Sequence, residues 1–164
     1  MADLPPGRAL DAGCGHGAEA IWLAARRWKV TAVDFAAPAL AYGRSMAASL
    51  GVEVDWIEAD LGAWTPEPEA YDLVSCLYVH VAGPVEQMVE RMAAAVAPGG
   101  TLLLAGATAA AGQTQVSLEA AHAALDPARW ELLVAEHRPR PKAGAGEDAV
   151  IRARRVAEHV ESRA

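Results

Sequence analysis

Disulfide chemistry is all but missing from this chain, whose 164 residues include two cysteines, Cys14 and Cys76. Two thiols cannot build a disulfide framework, so a reducing compartment is expected. Long apolar runs are missing as well. None approaches the ~18 residues that a membrane-spanning helix needs. Positive charge is scarce: 14 Lys and Arg stand against 21 Asp and Glu, a net charge of −7. That balance argues against nucleic acid or an anionic membrane as the main partner. The five histidines, at positions 16, 80, 122, 137 and 159, have no metal-ligand spacing with acids or thiols, and no metal site is expected. Met1–Gly7 is polar and proline-rich, unlike the start of a secretory signal. What the chain does have is apolar bulk. Hydrophobic residues make up 53%, which excludes a disordered tail. Much of that share is alanine, so the few large apolar side chains carry the pattern. Roughly 100–200 residues is one domain's worth. Residues 1–164 are therefore expected to form one soluble, cytoplasmic domain.

Strands and helices alternate along the sequence. Arg8–Ala12 reads as a short strand running into the cluster Gly13-Cys14-Gly15-His16-Gly17. A helix is expected over Ala18–Arg27, with Ile21, Ala24 and Ala25 at helical spacing. Val30–Asp34 is a second strand, and Pro38 opens a helix that Gly51 closes. Val52–Ala59 alternates as a third strand, while Pro66 and Pro68 make Leu61–Ala70 a loop crossover. Tyr71–Leu77 is a fourth strand, apolar enough to be buried on both faces. Val85, Met88, Val89, Met92, Ala93 and Val96 then line one face of a helix, with Glu86, Glu90 and Arg91 facing away. Pro98-Gly99-Gly100 is expected to stop it before a fifth strand, Thr101–Ala105. Ser117 caps a helix to Leu125. Trp130–Glu136 and Ala149–Arg154 read as two strands able to pair antiparallel across the loop Arg138–Asp148. Repeated strand–helix alternation demands parallel neighbours joined by crossovers, hence an α/β doubly wound sheet.

In such sheets ligands sit beyond the carboxyl ends of the strands, where strand order reverses. The segments to inspect are Asp11–Gly17, Asp34-Phe35, Glu58–Leu61, Leu77–Val81 and Gly106–Thr108. The glycine cluster permits a tight turn and close approach of a ligand to backbone. Asp34 lies 21 residues beyond Gly13, the spacing at which a carboxylate accepts both ribose hydroxyls of an adenosine. Gly13, Gly15 and Ala18 can be forced onto the dinucleotide fingerprint of a nicotinamide-dependent oxidoreductase. Asp11 opposes that, because it places negative charge where a pyrophosphate would lie. It suits a ligand carrying a cation, and Asp60 offers an acceptor to an amine such as adenine N6.

Asp11-Ala12-Gly13-Cys14-Gly15-His16-Gly17 resembles the first motif of class I S-adenosylmethionine-dependent methyltransferases. Asp34 matches that family's ribose-binding acid, and Glu58-Ala59-Asp60-Leu61 its adenine motif. Tyr71-Asp72-Leu73-Val74 matches its fourth strand, and Ala97-Pro98-Gly99-Gly100-Thr101-Leu102 the turn into its fifth. The matches cover about residues 8–105 in order, and the chain looks most like small bacterial members related to tellurite- and thiopurine-detoxifying types. The resemblance implies a Rossmann-like doubly wound seven-stranded sheet, mostly parallel with an antiparallel last strand. It implies S-adenosyl-L-methionine as cofactor, S-adenosyl-L-homocysteine as product and a small-molecule methyl acceptor. Asp11, Gly13, Cys14, Gly15 and Gly17 would line the methionine side, Asp34 the ribose, and Phe35, Asp60 and Leu61 the adenine, with Leu77 also among the cofactor-binding residues.

Transfer from a sulfonium is an in-line displacement, so alignment and exclusion of water matter more than reactive groups. His80 and Tyr78 follow the fourth strand, where the family places residues near the transferred methyl. His80 is the candidate base, since imidazoles ordinarily titrate near neutral pH, and Tyr78 a pocket wall. Cys14 and Cys76 read as packed side chains, His16 as a solvent-facing loop residue and Trp64 as a candidate for the pocket rim. The run Arg152-Ala153-Arg154-Arg155 reads as a solvated strand end. Two departures from the family stand out: a lead of only Met1–Gly7, shorter than usual, and a short, alanine-rich Gly106–Gln115. They leave a non-catalytic cofactor-binding protein or partner subunit as the alternative. An uncovered sheet face would favour a homodimer, and Val156–Ala164 is a tail without an assigned role.

Overall fold

The computed structural model describes residues 1–80, 83–107, 117–140 and 146–157. Seven strands form one sheet: β1 (Arg8–Ala12), β2 (Lys29–Asp34), β3 (Asp55–Glu58), β4 (Tyr71–Leu77), β5 (Val96–Ala107), β6 (Trp130–Pro139) and β7 (Glu147–Arg155). Among the described residues four helices accompany them: α1 (Ala18–Ala24), α2 (Ala37–Leu50), α3 (Val85–Ala94) and α4 (Leu118–Ala124). The sheet order is β3-β2-β1-β4-β5-β7-β6. The first five strands run parallel, and β7 lies antiparallel between β5 and β6. The expected α/β doubly wound sheet with one reversed final strand is the fold that forms.

Strand alternation divides the core in two. Ala9, Val30, Ala32 and Leu73 face one way, against Ala20 and Leu23 of α1 and Leu40 of α2. Leu10, Val33, Val74, Cys76, Leu102, Leu104, Ile151 and Ala153 face the other. There they meet Val85, Met88, Val89 and Met92 of α3, and Ala120 and Ala121 of α4. Because helices cover both faces, these strands are apolar on both sides. Strand order reverses between β1 and β4, so the segments that follow those two strands flank the switch point.

Several boundaries differ from the sequence expectation, each for a packing reason. Helix α1 stops at Ala24, because Arg26, Arg27 and Trp28 turn back through hydrogen bonds to Leu23 and Ala24 and deliver Trp28 to the core. Strand β3 begins at Asp55, not Val52, where pairing with Thr31 begins. Val96 leaves the helix and pairs with Tyr71 as the first residue of β5. Pro98-Gly99-Gly100 then falls at an irregularity inside β5, where the register with β4 shifts between Tyr71 and Leu73. Strands β6 and β7 both run further into Arg138–Asp148 than a loop there would allow, because the two strands keep pairing as far as Pro139 and Glu147. Thr108, Val81 and most of the Gly106–Gln115 and Val156–Ala164 segments lie outside the described residues.

Arg152 and Arg154 are paired on one face of β7, with Asp3 at 2.7 Å and Glu131 at 2.5 Å. Arg155 points the other way and is buried. It donates to the Val96 carbonyl and to Glu69. The basic run is thus an alternating set of ion pairs, and its third arginine belongs to the interior instead of a solvated end.

Candidate active site

The turn after β1 is built from its own hydrogen bonds. Gly13 and Cys14 N–H both donate to the Val33 carbonyl, at 2.8 and 3.0 Å, and Gly17 N–H donates to the Cys14 carbonyl at 2.8 Å. Gly15 N–H donates to Asp34 Oδ2 at 2.8 Å. Each of these four amides is therefore engaged within the protein. A phosphate cradle needs unengaged N–H groups aimed at its ligand, and this turn does not present them at those positions. Two of the glycines are dictated by neighbours. Gly13 has φ +78°, and a Cβ there would lie 2.1 Å from Val79 Cγ2. Gly17 also has φ +78°, and its Cβ position lies 2.2 Å from the Trp56 ring. Val79 thus covers the start of the turn, while Gly17 is required for packing against β3.

Asp34 ends β2 beside this turn. Besides Gly15 N–H, its carboxylate accepts Ala36 N–H on Oδ1 at 2.9 Å. An ionised carboxylate has about four acceptor sites, so two backbone bonds orient it and leave room for two hydroxyl donors. Asp11 lies behind the turn, 3% exposed. Ser75 Oγ donates to its Oδ1 at 3.2 Å, while Oδ2 has no hydrogen-bond partner. Burial first, then the negative charge of Glu19, pushes the Asp11 carboxyl up to about 7. The Ser75 hydroxyl and the Ala20 amide pull the other way. A buried carboxyl with an unsatisfied oxygen is costly by itself and is relieved by a donor, above all a cationic one.

A cavity of about 260 Å³ opens at the switch point, lined by Gly13, Asp34, Phe35, Asp60, Leu61, Tyr78, Val79 and His80. It draws on the ends of four strands. Phe35 is 73% exposed, which leaves an aromatic face uncovered at the cavity's rim. Asp60 Oδ1 accepts Gly62 N–H at 2.8 Å in a tight turn. The same turn is held from below by Arg91 of α3, whose Nη2 donates to the Leu61 and Gly62 carbonyls at 2.9 and 3.1 Å. Arg91 thus faces the site, contrary to the outward orientation that its helical position implied.

The structure gathers Gly13, Asp34, Phe35, Asp60, Leu61, Tyr78 and His80 around that one cavity. Asp11, Cys14, Gly15, Gly17 and Leu77 stand behind or beside it and do not line it. Burial pushes the thiols of Cys14 and Cys76 up to about 12, so neither is a thiolate nucleophile. His16 is exposed and sits edge-on to Tyr42 at 5.2 Å. Trp64 packs against the core instead of forming the rim. Val79 lies within the inspected segment Leu77–Val81 without being singled out, and the support that Arg91 gives the Leu61–Gly62 turn and Asp148 gives the Tyr78 hydroxyl escapes sequence reasoning. For Val79 the available signal is its place directly after Tyr78; for the two charged residues there is none. Among the described residues no group of histidines, cysteines and acids could hold a metal. A larger cavity, about 390 Å³, lies at the opposite, amino-terminal edge of the sheet. Its buried charge, Arg155, is already paired, and none of the strand-end carboxylates reaches it.

Fold and site together define a doubly wound α/β domain with a carboxylate-lined cavity at its topological switch point. Residues 9–100 match the sequence profile described as a methyltransferase domain, and the chain belongs to that family. Trans-aconitate 2-methyltransferase of Paracidovorax citrulli is 35% identical over 102 residues, covering 58% of this chain and 36% of that protein. TehB from Haemophilus influenzae superposes with a TM-score of 0.77 at 19% identity, over 92% of this chain and 58% of that one. Magnesium protoporphyrin IX methyltransferase from Synechocystis, solved with bound S-adenosylhomocysteine, gives a TM-score of 0.74 at 19% identity, over 94% and 76%. The chain spans under half the length of the curated relatives it matches.

Proposed function

We propose that this chain binds S-adenosyl-L-methionine and transfers its methyl group to a small-molecule acceptor. The observation that carries the proposal is the pairing of a glycine turn whose Gly13, Cys14, Gly15 and Gly17 amides are engaged with the buried Asp11, whose Oδ2 lacks a partner. Those four amides are withheld from a pyrophosphate, and Asp11, protonated up to about pH 7, favours a cationic group once it ionises, which separates this cofactor from a nicotinamide dinucleotide. When bound, the cofactor supplies a methyl group already activated by its positive sulfur. The chain's own residues bind and orient. Asp34 accepts the ribose hydroxyls on the sites its backbone bonds leave open, Phe35 lies against the adenine, and Asp60 with Leu61 bounds its edge. Asp11, with Gly13, Cys14, Gly15, Gly17 and Leu77 around it, serves the methionine end, directly or through water. Tyr78 and His80 flank the space where the acceptor enters, and His80 is the group placed to take a proton from an acceptor protonated at working pH.

Residues 1–164 serve this reaction as one domain, working in the reducing cytoplasm, where its two buried, unlinked cysteines are at home. No helix among the described residues is long and apolar enough to cross a membrane. The direct test is calorimetric titration with S-adenosylhomocysteine. Hydrogen bonds to a charged group contribute about 1.5–3 kcal/mol, so Asp34→Ala should weaken binding roughly 10- to 100-fold. Unchanged affinity removes Asp34 from the ribose role, and binding of NAD in its place removes the cofactor assignment. Turnover of labelled cofactor against thiol, amine and hydroxyl acceptors then separates the enzyme from a binding protein that does not transfer.

A further inference from the structure

Tyr78 leaves β4 with φ 57°, a left-handed backbone that a bulky side chain adopts only where its surroundings hold it. Two bonds do the holding. Its N–H donates to the Ala105 carbonyl at 2.7 Å, and its hydroxyl donates to Asp148 Oδ2 at 2.8 Å. Asp148 lies near the start of β7, opposite Ala107 of β5. Its other oxygen, Oδ1, accepts Arg140 Nε at 2.8 Å. Arg140 is itself tied to the hairpin end by its N–H, which donates to the Gly146 carbonyl at 3.0 Å. The carboxylate is thus clamped between a guanidinium and a phenol, both oxygens used. Burial works against its charge, but the bonds from Arg140 and Tyr78 outweigh it and hold Asp148 below the usual carboxylate range. The Tyr78 phenol is pushed up, chiefly by its bond to Asp148, and so remains a donor.

We propose that Asp148 is a positioning residue for the cofactor site: by holding the Tyr78 hydroxyl it fixes the 78–80 segment as a wall of the cavity. Tyr78, Val79 and His80 all line that cavity, and Val79 covers Gly13, so the left-handed turn at Tyr78 shapes the space the ligand enters. The β6–β7 hairpin, 70 residues further along the chain, therefore sets the geometry beside the reacting atoms. A hydroxyl committed to Asp148 is also withdrawn from proton transfer, which leaves that task to His80. The inference rests on the cofactor assignment above for its functional half and on ligand-free geometry for its structural half.

Two measurements test the halves separately. In the ligand-free protein, amide hydrogen exchange at Tyr78 should speed up at least tenfold in Asp148→Ala and in Tyr78→Phe. It should fall between wild type and Asp148→Ala in Asp148→Asn, whose single amide oxygen serves either the phenol or Arg140. In calorimetry with S-adenosylhomocysteine, Asp148→Ala and Tyr78→Phe should each weaken binding about five- to tenfold, and the double variant no further than Asp148→Ala, because each removes the bond between the phenol and Asp148. Asp148→Asn should fall between wild type and Asp148→Ala. A role in general stability alone would give losses that add in the double variant and are not rescued by asparagine. Unchanged exchange in Asp148→Ala overturns the proposal, as do additive losses of affinity or an asparagine variant as weak as the alanine one. If wild type does not bind S-adenosylhomocysteine, the cofactor assignment fails and takes the functional half with it. The exchange result then decides the structural half by itself.

Discussion

Replacing Asp11 by asparagine should make the protein's stability less sensitive to pH, and the size of the effect follows from the site. In the folded chain the Asp11 carboxyl titrates at about 7, against an ordinary value of 3.8. The native state therefore holds its proton where the unfolded state has released it, across a window of about three pH units. Within that window native stability falls as pH rises, by about 1.4 kcal/mol per unit. Below about pH 4 both states are protonated and the effect vanishes; above about pH 7 both are ionised and the loss is complete. The whole penalty is on the order of 4 kcal/mol. An asparagine amide has nothing to titrate, so Asp11→Asn should gain on wild type steadily between about pH 4 and pH 7 and then hold that gain. Urea denaturation of both proteins without ligand, at half-unit steps, reads the difference directly, because the other titrating groups cancel to first order. A flat difference across that window refutes the buried-carboxyl argument. The same proton governs binding. A ligand ammonium near Asp11 favours the ionised form, so wild-type affinity for S-adenosylhomocysteine should rise with pH up to about 7 and level off. The Asp11→Asn profile should lack that step.

Other perturbations follow from single contacts. Gly17→Ala sets a Cβ 2.2 Å from the Trp56 ring at φ +78°, combining backbone strain with overpacking. It should cost about 2–4 kcal/mol in urea denaturation, and a loss below about 1 kcal/mol contradicts the packing described. Arg91→Met removes both bonds to the Leu61 and Gly62 carbonyls. It should weaken S-adenosylhomocysteine binding about fivefold, with Arg91→Lys in between; equal affinity for all three proteins dismisses Arg91 as a prop for the adenine loop. Iodoacetamide at pH 8 should leave Cys14 and Cys76 unmodified in the native protein and alkylate both in urea, as their burial requires. Mass spectrometry of the native protein carrying a label on either cysteine speaks against that burial.

The order of elements and the class of ligand were legible in the sequence, because both depend on local or periodic signals. Strand alternation, the amphipathic spacing from Val85 to Met92, the glycine cluster and the interval from Gly13 to Asp34 survive being written on a line. Boundaries suffered where long-range pairing overrode local propensity. Val96 continues the apolar face of α3 by spacing, yet it joins β5 because Tyr71 is there to pair with it. Arg91 looked outward for a similar reason. Helical spacing shows which face a residue occupies, but not that the Leu61–Gly62 turn lies beside that face.

What the sequence alone determined was a doubly wound α/β domain with an acidic, glycine-turned segment after its first strand. Tertiary structure decided which groups meet at the carboxyl edge of the sheet. It showed that the glycine turn spends its amides on Val33, Cys14 and Asp34, that Asp11 is buried with one oxygen unsatisfied, and that Asp148 grips Tyr78. No motif encodes these relations. They arise where segments distant in sequence meet at the carboxyl edge of one sheet, and the partner of a polar group there is set by the topology that brings it near.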